Sequence, residues 1–577
     1  MRSLMRSIIA IYATVVAVAM AVAAAGAQSG VPGKLLPGFQ AIQQSDLRRD
    51  LTYLSSDELG GRMSLQPGDE LATSWIAVEF AKAGLLPPVN DEHGKPGYLQ
   101  PVTLIEYRPD RDASSMTLFR ASKLTVFHAP EVIGTYKHAV DITASVLFAG
   151  FGITAPELGY DDYATVDARD KIVLIFDHEP QEDDPRSIFN GTGNTRYATT
   201  RVKVLNAQAH GAVAVVIVAE PNRKHLTNAE RYARVGSSAV RSIPLPLQAI
   251  QEDEVHIPSA VVLDDVAAEL FATAGITPSA AQTAIDRELK PQSRPLPATT
   301  LALHFRNSSE RIGVSHNVAG LLPGSDPRLA PETILITAHH DHDGMAACAD
   351  PQHPPASTPP DPHPCPQIWH GADDNGSGTV GVVELARAFA ANPARPSRSI
   401  LFVVFASEER GLLGAYWMAA HPLRPLATTR AQINFDMIGR DEAPSPQTDG
   451  LIKIPDDTTN RLNLIGALYS PDYDRTVKQQ DKVVGLTLDD RFDHESALNV
   501  FFRSDQFPFV LHNIPAFWWF TGFHPDYHHT TDTVDKIDFS KMQKILELAY
   551  LTAWQFGTQP TPPRFVANPS GASSLDK

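Results

Sequence analysis

The chain has 577 residues, 43% of them hydrophobic and 20% charged, with 46 prolines, two cysteines and a formal net charge of −17. That balance excludes a disordered polar chain and a serial membrane protein, and the acidic excess excludes a basic nucleic-acid footprint. Two thiols are too few for a separate four-cysteine zinc site, and at about 150 residues per domain the length allows three or four units, more than the pattern below supports.

Residues 1–27 carry Arg2 and Arg6, an apolar stretch from Ile8 to Ala25 and the small-residue ending Ala25-Gly26-Ala27. This is the pattern of a signal peptide cleaved after Ala27, and it predicts export to a periplasmic or extracellular compartment. Tyr12 and Thr14 interrupt the stretch, which barely reaches the roughly 18 residues that a membrane anchor needs. Stable membrane insertion after cleavage is therefore not expected.

From Ser56 to Pro87 a loop is followed by a helix, with Pro67-Gly68 as punctuation, Asp69 and Glu70 in its first turn, and Trp75, Ile76, Glu79, Phe80 and Ala83 on one stripe. Between about Ala139 and Ala298 the texture changes. SVLFAGFGI, DKIVLIFDH and AVAVVIVAE read as buried strands, with TTRVKVLNAQAHG as a helix before the third, so this is a separate β-rich or mixed module. Its closing stretch, LKPQSRPLPATT, reads as a proline-rich linker.

From Leu301 strands and helices alternate: ETILITAHHD, TVGVVELARAFAANP, RSILFVVFAS, GLLGAYWMAAH and AQINFDMIG, with PAFWWFTG as a later strand. Such alternation predicts an α/β domain whose mostly parallel sheet is covered by helices on both faces. A final helix is predicted from Ser540, paired with Gln543 as a capping box, with Met542, Ile545, Leu546 and Ala549 inward. The residues after it, 558–577, have little to bury and read as a flexible tail.

In open α/β sheets, ligands gather beyond the carboxyl ends of the strands. Here several apolar runs end in metal-ligating residue types. In HHDHDG, His339 and Asp341 stand two apart and share a side of the sheet, so one can bind a metal while the other orients the imidazole; His340, His342 and Asp343 remain alternatives. GADDNGSG sets the carboxylates of Asp373 and Asp374 side by side, and one carboxylate can bridge two cations. Glu408 and Glu409 are adjacent like charges that need cations or a proton. One can ligate while the other acts as general base. Asp436 interrupts the apolar NFDMIG, where an unpaired charge is expensive, and His528 competes with His524 and His529 in HPDYHHTTDT.

HHDHDG, GADDNGSG, FASEERGLLG, NFDMIGR and HPDYHHTTDTVDKID, in this order, resemble the motif set of the two-zinc aminopeptidase family, which also contains dizinc carboxypeptidases and glutaminyl cyclases. SSDELGGR is similar to that family's amino-terminal arm, and the middle module resembles its inserted protease-associated domain. The resemblance implies a zinc-exopeptidase fold, a mixed, mostly parallel sheet between helices, with an arm at 45–138, the insert at 139–298 and a catalytic domain at 299–557. It implies two Zn2+ ions: one held by His339 and Asp436, the other by Glu409 and His528, with Asp373 as the bridge. Glu408 is then the general base and Asp341 the group that orients His339. Peptides are the implied substrates.

This chain departs from the common pattern in the segment between Gly344 and His370, which Cys348 and Cys365 could close as a disulfide over the site. Phe520 to Phe523 are expected to wall a pocket for apolar termini. An aminopeptidase is the leading expectation. A dizinc carboxypeptidase, which needs a cation for the substrate carboxylate, stays open through Arg440 and Arg503. A glutaminyl cyclase fits less well, since it works with one zinc, and a non-catalytic peptidase-fold binding protein would have lost ligands.

Overall fold

The computed structural model describes residues 30–569 except 91–92, 121–122, 192, 224, 228–229, 231–244, 347–366 and 496. The predicted leader, the Cys348–Cys365 disulfide and residues 570–577 of the tail lie outside the described residues.

Helices α1 (Leu36–Ala41), α2 (Gln44–Leu54) and α3 (Pro67–Lys82) precede the sheet. In α2, Leu47, Leu51 and Leu54 recur at helical spacing and are fully buried. The predicted stripe of α3 is observed, with Ile76 and Phe80 fully buried, and Pro67 occupies the first turn, where a missing N–H costs nothing.

Strands β1 (Leu99–Arg120) and β6 (Arg294–Leu322) form a long antiparallel ribbon paired from Leu99↔Val318 to Arg120↔Thr299. Between them the chain builds β2 (Val140–Phe148), β3 (Ile172–Phe176), helix α4 (Thr200–Ala209), β4 (Ala214–Val218) and β5 (Ser259–Val262). These four strands pair in parallel, and every residue of β3 and β4 is buried, as expected for strands covered on both faces. The stretch LKPQSRPLPATT is not a linker: from Arg294 it is already β6, hydrogen-bonded against β2. Pro295 still pairs opposite Leu147, and a register shift between Pro295 and Thr300 takes Pro297 out of the regular ladder, which is how a strand accommodates a residue without an N–H.

The carboxy-terminal half of β6 turns the sheet over to the second half of the molecule, built of β7 (Thr333–His339), α5 (Gly378–Ala391), β8 (Ser399–Phe405), α6 (Leu413–Ala420), β9 (Thr429–Phe435), β10 (Arg461–Ile465), β11 (Ala516–Phe520) and α7 (Phe539–Thr558). Among these strands the order is β10-β11-β9-β7-β8-β6-β2-β3-β4-β5, within one 15-stranded mixed sheet that spans both halves. β7 pairs in parallel with β8 and β9, and β9 with β11, while β6 runs antiparallel to β8 and β2, and β10 antiparallel to β11. This is the mixed, mostly parallel α/β architecture anticipated for the second half. It aligns the carboxyl ends of β7, β8, β9 and β11 on one edge.

Two local expectations change. The cap of α7 is Asp538, whose carboxylate accepts from Ser540 N and Lys541 N, while Gln543 reaches Ile42 O instead of closing a capping box. An acidic side chain two residues upstream of Ser540 satisfies the first donors of the helix. The described part of the tail is docked: Phe565 stacks on Tyr469 with centroids 5.4 Å apart, and Val566 N donates to Tyr469 O.

Candidate metal centre

The end of each parallel strand delivers a metal-ligating side chain. His339 is the last residue of β7, Glu408 and Glu409 follow β8, Asp436 follows β9, and His528 lies in the turn after β11. His339 Nε2 is buried and has no hydrogen-bond partner among the described residues. It is surrounded by three carboxylate oxygens, Asp374 Oδ1, Glu408 Oε2 and Asp436 Oδ2, each 3.6 Å away. On the other side His528 Nε2 lies 3.1 Å from Asp374 Oδ2 and 3.2 Å from Glu409 Oε2. His339 Nε2 faces its three acids across distances too long for hydrogen bonds, which leaves room for a cation at their centre.

Asp374, not Asp373, lies between the two histidines. In the turn before α5 the adjacent side chains diverge: Asp373 Oδ1 accepts from Gly439 N at 2.6 Å and its Oδ2 faces His524 Nε2 at 3.3 Å, away from the cluster. Asp532 fixes that turn by accepting from Asp373 N and Asp374 N. In DDNG the sequence offers two carboxylates, and only the backbone path through the turn decides which faces inward.

Asp341 acts differently from its expected role. Its Oδ1 is 3.7 Å from His339 Nδ1, too far for a hydrogen bond, and the ring nitrogen meets the Asp341 carbonyl at 3.2 Å instead. The Asp341 carboxylate accepts from Glu408 N at 2.9 Å and Glu409 N at 3.3 Å, and so holds the turn that carries both acids.

Among the rivals, His340 turns to His316 O and lies 3.5 Å from Asp69, while His529 bonds Tyr527 O. Burial pushes His340 down to about 3. His342 does join the site, its Nδ1 2.6 Å from Glu409 Oε1.

Further residues support this arrangement, Asp343 as one of the alternatives in HHDHDG and the others outside the motifs' candidate ligands. Asp343 Oδ2 lies 3.4 Å from His528 Nδ1, and Arg410 pairs with Asp343. Ser504 Oγ donates to Asp436 Oδ2 at 2.6 Å, and the neighbouring Asp505 buries both carboxylate oxygens without a hydrogen-bond partner among the described residues. A charge inside FFRSDQFPFVL carries the same signal that singled out Asp436. Arg62 from the arm is buried and donates to the carbonyls of Leu54, His340, His370 and Gly371, tying the arm to both ligand loops.

The electrostatics separate the paired glutamates. Burial, with Asp436, Glu409 and Asp505 nearby, raises Glu408 well above the usual carboxylate range. Burial also disfavours the Glu409 carboxylate, but His528 and His342 more than offset it and hold Glu409 well below that range. Burial alone would lower His339, yet Glu408, Asp436 and Asp341 raise it well above the ordinary imidazole value. So dense an acidic cluster calls for added positive charge. Asp374, Asp436, Glu409 and the two imidazoles offer the mixed N and O donors that suit zinc.

Phe520 and Phe523 are fully buried core, their ring centroids 5.0 Å apart, rather than an open pocket wall. Arg440 is paired with Asp526 at 2.9 Å. Arg503 donates to Leu498 O and to the Tyr527 hydroxyl.

Residues 317–553 match the profile of Peptidase family M28, and residues 142–270 match that of the PA domain. A probable zinc metalloprotease of Pyrenophora teres f. teres is 37% identical over 112 residues, 18% of this chain and 24% of that protein. A probable aminopeptidase of Saccharomyces cerevisiae is 29% identical over 196 residues, 32% of this chain and 49% of its own length. The chain thus spans less than half the length of either relative. Among solved structures, an aminopeptidase from Aneurinibacillus sp. strain AM-1 aligns over 92% of this chain and 97% of its own, at 18% identity and a TM-score of 0.47.

Proposed function

Since the chain is a member of Peptidase family M28 carrying an inserted PA domain, we propose that it is an exported, zinc-dependent exopeptidase that removes amino-terminal residues from peptides. His339 and Asp436 would hold one ion, Glu409 and His528 a second, and Asp374, which faces both histidines, would serve both. The observation that supports this most is the placement of Asp374, whose Oδ1 faces His339 and whose Oδ2 faces His528.

Zinc ions held there would supply Lewis-acid polarisation of the scissile carbonyl, a water acidified to a pKa of about 7, and the positive charge that lets Glu408 ionise. Glu408 takes the proton from the attacking water at its carboxylate and passes it to the leaving amine, so that the new C–O bond forms and the C–N bond breaks with protons balanced. Asp341 keeps that base in place through the Glu408 and Glu409 amides. His342 holds the second oxygen of Glu409, and Asp343, braced by Arg410, orients His528.

A carboxypeptidase would need a cation for the terminal carboxylate, and both arginines considered for that task already have partners in Asp526, Leu498 and Tyr527. A panel of peptides with free or blocked ends tests the reading: cleavage should require a free amine and tolerate a blocked carboxyl. The reverse pattern favours the carboxypeptidase. Export is tested by the amino terminus of the mature protein, which should be Gln28.

A further inference from the structure

A second group of metal-ligating side chains lies in the inserted module. His178 and Glu182 sit in the loop that follows β3, and Glu220 and His225 in the loop that follows β4, so two adjacent parallel strands present them at one edge. His225 Nε2 is 2.8 Å from Glu182 Oε2 and 3.2 Å from Glu220 Oε1. His178 Nδ1 is 2.8 Å from Glu182 Oε1 and 4.0 Å from Glu220 Oε1. One ligand atom from each of the four residues falls within 4.8 Å of the others. Zinc–ligand bonds of about 2.0–2.2 Å in a tetrahedron set neighbouring ligand atoms about 3.3–3.6 Å apart, and the observed separations bracket that spacing. We propose that His178, Glu182, Glu220 and His225 bind one divalent transition-metal ion of the zinc class, a site separate from the catalytic cluster.

Two features favour an ion over a purely protonated cluster. The rings of His178 and His225 stack with centroids 3.8 Å apart and planes 16° from parallel. If protons on the rings balanced the two carboxylates, both imidazoles would be charged while stacked face to face, whereas one divalent ion balances Glu182 and Glu220 with both rings neutral. Secondly, the far side of each ring can be anchored. His225 Nδ1 meets Leu226 O at 3.0 Å, the bond that leaves Nε2 as the free lone pair. His178 Nε2 meets the side-chain amide of Asn499, from the catalytic half, at 3.3 Å. There Asn499 Nδ2 faces the ring and its Oδ1 accepts from Asn194 Nδ2; turning both amides about their last bonds would keep their mutual hydrogen bond and put Asn499 Oδ1 against the ring to accept its N–H. A solvent cleft of about 490 Å³, in which Glu182, Asp183, Asp184 and two further acids outnumber Arg186 and Arg223, opens beside the group and gives a cation an acidic way in. Four ligands with no open position describe a structural site that ties both loops together and, through Asn499, to the catalytic half.

The test counts zinc in the purified whole protein and in H178Q/H225Q by elemental analysis after gel filtration. The wild type should hold one more equivalent per chain than the variant, whatever the catalytic cluster holds, so failure of the catalytic reading leaves this comparison intact. Equal counts in two folded proteins overturn the proposal. A zinc-edge anomalous difference map of the wild type needs no variant: a peak between His178 and His225 is expected, and its absence from zinc-soaked crystals means an ion-paired cluster only.

Discussion

Glu408 and Glu409 are neighbours of one chemical type, yet the site assigns them opposite protonation: Glu409 is held charged by His528 and His342, and Glu408 is held proton-hungry among other acids. Glu408→Gln removes the proton acceptor while keeping shape and all proposed ligands. It should cost about 10²–10⁴-fold in kcat, the usual contribution of a general base, with zinc content unchanged by elemental analysis. The acids at 373 and 374 provide the complementary contrast. Asp374→Asn should lose at least one equivalent of zinc together with most activity, because its two oxygens face both histidines. Asp373→Asn should keep its zinc, because Asp373 serves the Gly439 amide and His524. Metal analysis of the two variants side by side distinguishes them. Residue types were legible in the sequence because a buried acid or histidine at a strand end is costly without a partner. The choice within DDNG was not, since it depends on where the turn aims each side chain, and neither was the shift of Asp341 from orienting His339 to bracing the Glu408–Glu409 turn.

At the scale of elements, the apolar runs and their alternation were sufficient to read β7, β8, β9 and β11 and the helices between them, and with them the edge where the ligands meet. What the local pattern hid were long-range pairings. LKPQSRPLPATT looked like a linker because prolines weaken strands, but its partner β2 is supplied from about 150 residues earlier in the chain. Arg62 looked like part of a polar loop, and only tertiary contact reveals it as the tie between the arm and the loops around His340 and Gly371. A buried guanidinium making four carbonyl bonds is costly to remove, since the carbonyls are left unpaired. Arg62→Ala should therefore lower stability by about 3 kcal/mol in urea titrations. It should also reduce kcat, although Arg62 holds no ligand, because it positions the carbonyls of His340 and Gly371, just upstream of Asp341 and Asp374.

The whole molecule buries acids in both halves. Burial pushes Glu179, in the inserted module, up to about 8, and Asp493, in the catalytic half, up to about 7. Each binds its proton more tightly folded than unfolded, so the folded chain carries more protons between the ordinary carboxylate range and these values. Stability contributed by these groups is complete below about pH 4 and is lost as the pH rises through 7 and 8. Thermal midpoints should accordingly fall from pH 5 to pH 8, and Glu179→Gln should flatten the fall. A midpoint that rises over that range would contradict the assignment.

Both halves share one sheet, and the ribbon of β1 and β6 joins the candidate metal edge to the insert. On that frame the proposed chemistry reduces to whether two cations share Asp374. Zinc-edge anomalous diffraction from crystals of the unmodified protein measures this most directly. Two peaks should flank Asp374, one between it, His339 and Asp436, the other between it, Glu409 and His528. A lone peak, or density centred on Asp373, would contradict it.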